Sequence, residues 1–126
     1  MPCTFELDAA ARLRVHTYTG IVDDAVTISA YTALVETPGY RNDVNDLVDM
    51  THVDRLEVTA EAMMRVISLF APIDALGVRT KLAIVAPNDL AYGVGRMYEM
   101  LRGEGTPEEV RVFRSMDDAR RWVALP

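Results

Sequence analysis

The chain has 126 residues, 50% of them hydrophobic and 25% charged, with a net charge of -6, one cysteine and two histidines. This length favours one domain, residues 1–126, that hides roughly two-thirds of its unfolded surface without disulfide or metal support. One cysteine and two histidines exclude a disulfide and leave little material for a metal or other cofactor site, and the acidic balance disfavours nucleic acid and anionic membranes.

The N-terminus lacks the basic and apolar stretches of a signal peptide. No apolar run approaches the ~20 residues that a membrane helix needs. We therefore expect a cytoplasmic protein without membrane insertion.

Alternating residues in Thr4–Leu7 and Leu13–Thr19 predict a β-hairpin that Gly20 closes. The alternation places Phe5, Leu7, Leu13 and Val15 on one face and Glu6, Arg14, His16 and Tyr18 on the other, polar face. A helix is predicted from Asp23 to the Pro38-Gly39 stop.

Val44–Met50 predicts the next strand, and Thr59 begins an apolar helix that Pro72 should end or kink. Lys81–Ala86 is apolar on both faces, as in a central parallel strand. Asn88 or Asp89 then caps a helix that ends at Gly103. Its expected core stripe is Leu90, Val94, Met97 and Leu101.

Val110–Phe113 is the last predicted strand, and Ser115 starts the final helix. The order β-β-α-β-α-β-α-β-α requires right-handed crossovers and a mainly parallel sheet. The sequence therefore predicts an α/β fold with a five-stranded mixed sheet, an N-terminal antiparallel hairpin and four helices.

Ligands of such sheets favour the carboxyl ends of the strands. The residues that this rule places there are Asp49, Thr51, His52, Asn88, Asp89, Arg114 and Ser115. They fit acid-base chemistry or the binding of a small polar ligand. Helix capping by Asn88, Asp89 and Ser115, and solvation of His52, are the structural alternatives.

Gly93 and Gly95 lie inside the third helix, where each costs about 1 kcal/mol relative to alanine. Their spacing fails as a dinucleotide fingerprint, so we expect another backbone to approach closely, in the core or across a dimer. Tyr92, Arg96 and Glu99 share a stripe of this helix, as a surface ion pair beside an aromatic ring or as a recognition patch.

The chain has seven methionines. Methionine at helical spacing usually fills a core, and the alternative is a pliable apolar pocket or partner surface.

The run from Leu82 to Tyr98, with Val110–Arg114, resembles the SpoIIAA-like family of STAS-type domains. The early hairpin, Pro38–Arg41 and Leu47–Val53 extend the resemblance over nearly the whole chain. It implies strands in sequential order, wound as a βα superhelix. Better-known relatives are anti-sigma factor antagonists that are switched by phosphorylation of a serine after the third strand. The segment Val53–Thr59 has no serine, and only Thr51 or Thr59 offers a hydroxyl nearby.

Three functions follow as hypotheses. The first is a non-enzymatic regulatory or protein-interaction domain that forms a homodimer and binds an unknown protein through helices two and three. The second is a carrier of a small apolar or amphipathic ligand, with Arg96 or Arg114 pairing an acidic head group. The third is an acid-base enzyme that uses Asp49, His52 and Asp89.

Overall fold

The computed structural model describes residues 2–126 and contains, within them, a five-stranded sheet and four helices. The elements are β1 (Cys3–Asp8), β2 (Leu13–Asp23), α1 (Asp24–Glu36), β3 (Asn45–Glu57), α2 (Ala60–Asp74), β4 (Thr80–Val85), α3 (Asp89–Arg102), β5 (Glu108–Phe113) and α4 (Met116–Ala124). The predicted order of elements is confirmed.

The strands lie in the sheet in chain order, β1-β2-β3-β4-β5. The β1–β2 pair is antiparallel and the other three pairs are parallel, as predicted. Helices α1, α2 and α3 pack on one face around a core that includes Tyr31, Val48 and Ile84. Helix α4 covers the other face, where Trp122 packs against Leu47 and its neighbours.

Helix starts follow the predicted capping residues closely. The side chains of Thr59, Asn88 and Ser115 accept hydrogen bonds from backbone N–H groups in the first turns of α2, α3 and α4. Asp23 caps α1 in the same way. Helix α2 ends at Asp74, two residues after Pro72.

Strands β2 and β3 are longer than predicted, because each supplies the other with a hydrogen-bonding partner. Gly20 does not close β2; it lies near a register shift with a φ of 65°, and the strand continues to Asp23. Strand β3 continues past Met50 to Glu57. His52 is therefore in a strand, opposite Thr19, and not in a loop.

The predicted division of the hairpin into faces is wrong. Phe5 lies opposite His16 and Leu7 lies opposite Arg14, and residues directly opposite each other share a face. His16 therefore points toward the three-helix side and is only 4% exposed. Leu13 points to the other face, where it packs in the α4 core.

The core stripe of α3 also differs from the prediction. Its buried residues are Ala91, Gly95 and Arg102, whereas Leu90 is 65% exposed. A Cβ at Gly95 would lie 3.1 Å from a methyl group of Val112, so the small residue lets α3 sit close to the sheet. Gly95 thus has the expected close contact in the core, but with side chains of the sheet and not with another backbone as predicted.

The two helical glycines give a matched test of this packing. We expect Gly95→Val to lower the free energy of unfolding by about 1–3 kcal/mol, because its methyl groups overfill the space beside Val112. Gly93→Val should change it by less than about 0.5 kcal/mol, because a Cβ there meets nothing within 4 Å and valine is no worse a helix former than glycine. Urea unfolding at low protein concentration measures both, and equal effects would contradict the packing argument.

Candidate functional site

The predicted residues at the end of β3 form local contacts. The Asp49 carboxylate accepts hydrogen bonds from the Thr51 backbone N–H at 2.9 Å and the Thr51 hydroxyl at 2.6 Å. Thr51 and His52 are exposed. Asp49 thus stabilises the strand locally.

The predicted residues around α3 pair among themselves. Asn88 caps the helix through the Ala91 N–H, and Asp89 lies 2.9 Å from the Arg114 guanidinium, which stacks 4.4 Å above the Tyr92 ring. Arg96 contacts both carboxylate oxygens of Glu99 at 3.1 Å, as a surface ion pair. Asp49 and Asp89 thus hold different partners. None of the predicted site residues lines the inner cavity or the edge groove described below, and their binding roles stay predictions.

A buried polar network lies instead at the amino ends of β2 and β3. The Asp46 carboxylate is 2.7 Å from His16 Nε2 and 3.5 Å from the Arg14 guanidinium. The Tyr31 hydroxyl lies 2.8 Å from His16 Nδ1 and 2.7 Å from the Tyr18 hydroxyl. All five side chains are buried.

The direction of these hydrogen bonds follows from what each group can donate. A carboxylate only accepts, so His16 Nε2 donates to Asp46. In the neutral imidazole Nδ1 then accepts from the Tyr31 hydroxyl, and the Tyr31 oxygen accepts from Tyr18. Burial raises the pKa of Tyr31 and Tyr18 well above the usual value, so both phenols remain neutral hydrogen-bonding groups.

An inner cavity of about 90 Å³ lies beside this network, between the sheet and the three helices. Its walls include Tyr18, Tyr31, Met50, Met63 and Phe70. Met50 and Met63 thus both fill the core and line a small apolar space. The volume is below the ~300 Å³ of ordinary ligand pockets, so the inner cavity alone does not hold a sizeable ligand.

An edge groove of about 690 Å³ lies between β1 and α1. Its walls are mainly apolar and include Phe5, Leu7, Val26, Ala30 and Leu34. Arg14, Leu34 and Tyr40 line both the edge groove and the inner cavity. The two spaces therefore lie on either side of these shared side chains.

The end of the edge groove carries an arginine cluster. Arg41 holds both carboxylate oxygens of Asp43 at 2.9 Å, Arg12 contacts the same carboxylate, and Arg14 donates to the Arg41 carbonyl. Hydrogen bonding to Arg41 lowers the pKa of Asp43 to about 2. Within this cluster, counted with Asp46, three arginines face two aspartates, so the cluster itself has one positive charge in excess.

Arg14 also contacts an aromatic ring. Its guanidinium lies 4.6 Å from the centre of the Tyr40 ring, a cation-π contact. Burial raises the pKa of Tyr40 to about 12, so its hydroxyl remains a neutral hydrogen-bonding group. Burial likewise raises the pKa of the Cys3 thiol to about 12, which makes it a poor nucleophile.

A second buried ion pair closes the same end of the fold. Arg102, at the end of α3, donates to both oxygens of Asp74 at 2.6 and 2.8 Å and to Glu108 at 3.2 Å. This clasp joins the ends of α2 and α3 to the start of β5. Among residues 2–126, no three His, Cys, Asp or Glu side chains are grouped to hold a metal ion.

Sequence reasoning missed Arg14, His16, Tyr31, Asp46 and Arg41. The carboxyl-end rule directed attention to the opposite edge of the sheet. One signal was available in the sequence, because Arg14 and His16 alternate with apolar residues in β2. A strand inside a sheet can be covered on both faces, and its polar side chains are then buried as well.

The sequential βα superhelix with its N-terminal hairpin is a SpoIIAA-like fold, and the predicted resemblance in fold is confirmed. The chain is similar to an uncharacterized DUF3478 family protein with a SpoIIAA-like fold from Shewanella loihica PV-4. The alignment has a TM-score of 0.60 and 19% identity, and covers 96% of this chain and 91% of the other. No protein-family model and no curated protein matches the sequence. At this identity the likeness shows the fold.

No helix within residues 2–126 is long and apolar enough to cross a membrane.

Proposed function

We propose that this chain is a single non-enzymatic domain that binds a small amphipathic anion. The observation that carries the proposal is the edge groove, apolar along its length and ending at an arginine cluster with one surplus positive charge. An apolar tail would lie between β1 and α1, with its acidic group at Arg14 and Arg41. This proposal is the ligand-carrier hypothesis with Arg14 and Arg41 in place of Arg96 and Arg114. Arg96 and Arg114 form ion pairs on or beside α3, away from the groove.

The chemistry of the site favours binding over catalysis. The buried phenols and the Cys3 thiol have raised pKa values, so they neither supply nor accept protons readily near neutral pH. In the proposed acid-base trio, Asp49 bonds to Thr51, Asp89 pairs with Arg114, and His52 is an exposed strand residue. A cytoplasmic location stays a prediction.

Titration with octanoate, and with 1-octanol as its uncharged counterpart, tests the proposal. Ala33→Trp places a large ring in the groove from an exposed position of α1, and we expect about a tenfold loss of octanoate affinity. Ala25→Trp is the control, because Ala25 is exposed on the same helix but outside the groove lining. Arg41→Gln should weaken octanoate and spare octanol. Equal octanoate affinity in both tryptophan variants would refute this site.

A second candidate function is the regulatory or protein-interaction domain. The observation that favours it is the exposure of large apolar side chains on α2 and α3: Met64 at 47%, Leu90 at 65% and Met100 at 74%. Exposed apolar side chains that form a continuous patch are typical of partner surfaces. This function does not depend on the edge groove.

A further inference from the structure

Strand β5 is an edge of the sheet, and no strand pairs with its outer side. The carbonyls of Pro107 and Phe113 accept hydrogen bonds from backbone N–H groups of β4 and of the residue that follows it. Backbone groups alternate in direction along a strand, so residues 108, 110 and 112 direct theirs outward. Within residues 2–126, only the Glu108 carbonyl among these outward groups has a partner, the Thr106 hydroxyl at 3.1 Å. Such an edge is a template for a further strand.

Two side chains of opposite charge flank the middle of β5. Glu109 and Arg111 are exposed, and neither belongs to an ion pair within residues 2–126. The Arg111 guanidinium lies 5.6 Å from the centres of the Phe113 and Trp122 rings, which places it on the α4 face of the sheet. Glu109, two residues earlier, is on the same face. A half-turn about Val110 therefore exchanges a negative for a positive charge.

The charges select one register for an antiparallel second copy of β5. Residues with outward backbone groups must lie opposite each other, because only these can form hydrogen bonds. A two-fold axis beside Val110 meets this condition, since residue 108 then lies opposite residue 112 of the other copy. Glu109 of each copy lies opposite Arg111 of the other, an arrangement that stabilises a sheet. An axis at position 109 or 111 would instead set like charges directly opposite each other.

We propose that the outer edge of β5 pairs with β5 of a second copy of this chain, antiparallel and about a two-fold axis beside Val110. One continuous sheet then receives five strands from each copy. The other edge strand, β1, offers no such match, because its only charged residues, Glu6 and Asp8, are both acidic. The contact is small, with six residues of β5 from each copy, so we expect a reversible dimer in the micromolar to millimolar range.

This interface gives the predicted homodimer a specific geometry and goes beyond the binding of an amphipathic anion. The edge groove adjoins β1, which is at the opposite edge of the sheet from β5. The dimer and the ligand site therefore do not depend on each other.

Sedimentation velocity over a concentration series up to about 1 mM tests the dimer. Arg111→Glu and Glu109→Arg should each weaken dimerisation about tenfold or more, because like charges then lie opposite each other on both sides of the axis. Arg120→Glu is the matched control and should leave dimerisation unchanged. It makes the same charge change at an exposed arginine of α4 that also has no ion pair within the described residues.

Mixing the two variants provides a reciprocal test. Equal amounts of the Arg111→Glu and Glu109→Arg proteins should form a heterodimer about tenfold tighter than either homodimer, because two glutamates of one copy then face two arginines of the other. A substitution that only disturbs its own copy is not rescued in this way, so failure of the mixture to associate would overturn the proposal.

Two other results would also overturn the proposal. One is a chain that stays monomeric up to about 1 mM, the weak limit of specific association. The other is a dimer that neither charge reversal weakens, which would place the contact elsewhere. Octanoate titration of Arg111→Glu should match the unmodified protein in every case, so failure of the dimer is distinguishable from failure of the ligand site.

Discussion

Replacing Arg102 with methionine is expected to destabilise the protein by about 3–5 kcal/mol. The Arg102 side chain is 3% exposed and neutralises two carboxylates, Asp74 and Glu108, that are themselves largely shielded from water. Removal of one partner of a buried ion pair leaves uncompensated buried charge, which costs far more than the pair contributes. The Asp74 and Glu108 carboxyl groups, on α2 and β5, would then face each other at the amino ends of the strands without a counter-charge.

Arg96→Met is the matched control, since Arg96 lies on the same helix in an exposed ion pair. Exposed pairs contribute about 0–1 kcal/mol, so its unfolding free energy should hardly change at low protein concentration. Urea unfolding at neutral pH compares the two variants. Similar small losses in both would mean that solvent screens the Arg102 clasp.

The same clasp predicts a pH dependence. Burial, with the Asp46 carboxylate as a further cause, raises the pKa of Glu108 from 4.5 to about 7, and Arg102 only partly offsets the rise. Between these values the folded state holds a proton that the unfolded state releases, so stability falls as pH rises from about 4.5 to 7, by about 3 kcal/mol. Glu108→Gln should remove this decline, and Arg102→Met should extend it above pH 7, because the loss of Arg102 raises the pKa of Glu108 further.

The features of the fold that depend only on short segments of the chain were predictable from the sequence. The Thr59, Asn88 and Ser115 caps hydrogen-bond to backbone groups three residues away, so a window of a few residues contains both partners. The βα alternation then leaves few topologies, because parallel connections are right-handed and sequential elements are adjacent. The resemblance added the sequential strand order.

The candidate site depends on contacts that no short segment contains. His16 meets Asp46 across 30 positions of the chain and Tyr31 across 15. Both faces of β2 are covered, one by the three-helix core and the other by the α4 core, and the alternation within the strand does not tell that its polar face is buried. For the same reason, the exposure of Leu90 depends on the small Gly95 that brings α3 against the sheet.

Asp46→Ala is the second substitution for which we expect a loss of about 3–5 kcal/mol. Its carboxylate is the acceptor for His16 Nε2 and the buried counter-charge of Arg14, whose side chain is 6% exposed. Without Asp46, the guanidinium keeps only the Arg41 carbonyl and the face of Tyr40, neither of which carries a negative charge. The unpaired Nε2–H of His16 adds a further cost.

Tyr31→Phe distinguishes the stability contributed by the buried charges from that contributed by the neutral hydrogen bonds of the network. It removes the hydrogen bonds to His16 and Tyr18 but no ion, so it should cost only about 1–2 kcal/mol. NMR of the ring nitrogens provides a second measurement: His16 should carry its proton on Nε2 in the unmodified protein and lose that preference in Asp46→Ala. If Asp46→Ala cost no more than Tyr31→Phe, Arg14 would be reaching water through the edge groove, and its surplus charge would be screened from any ligand there.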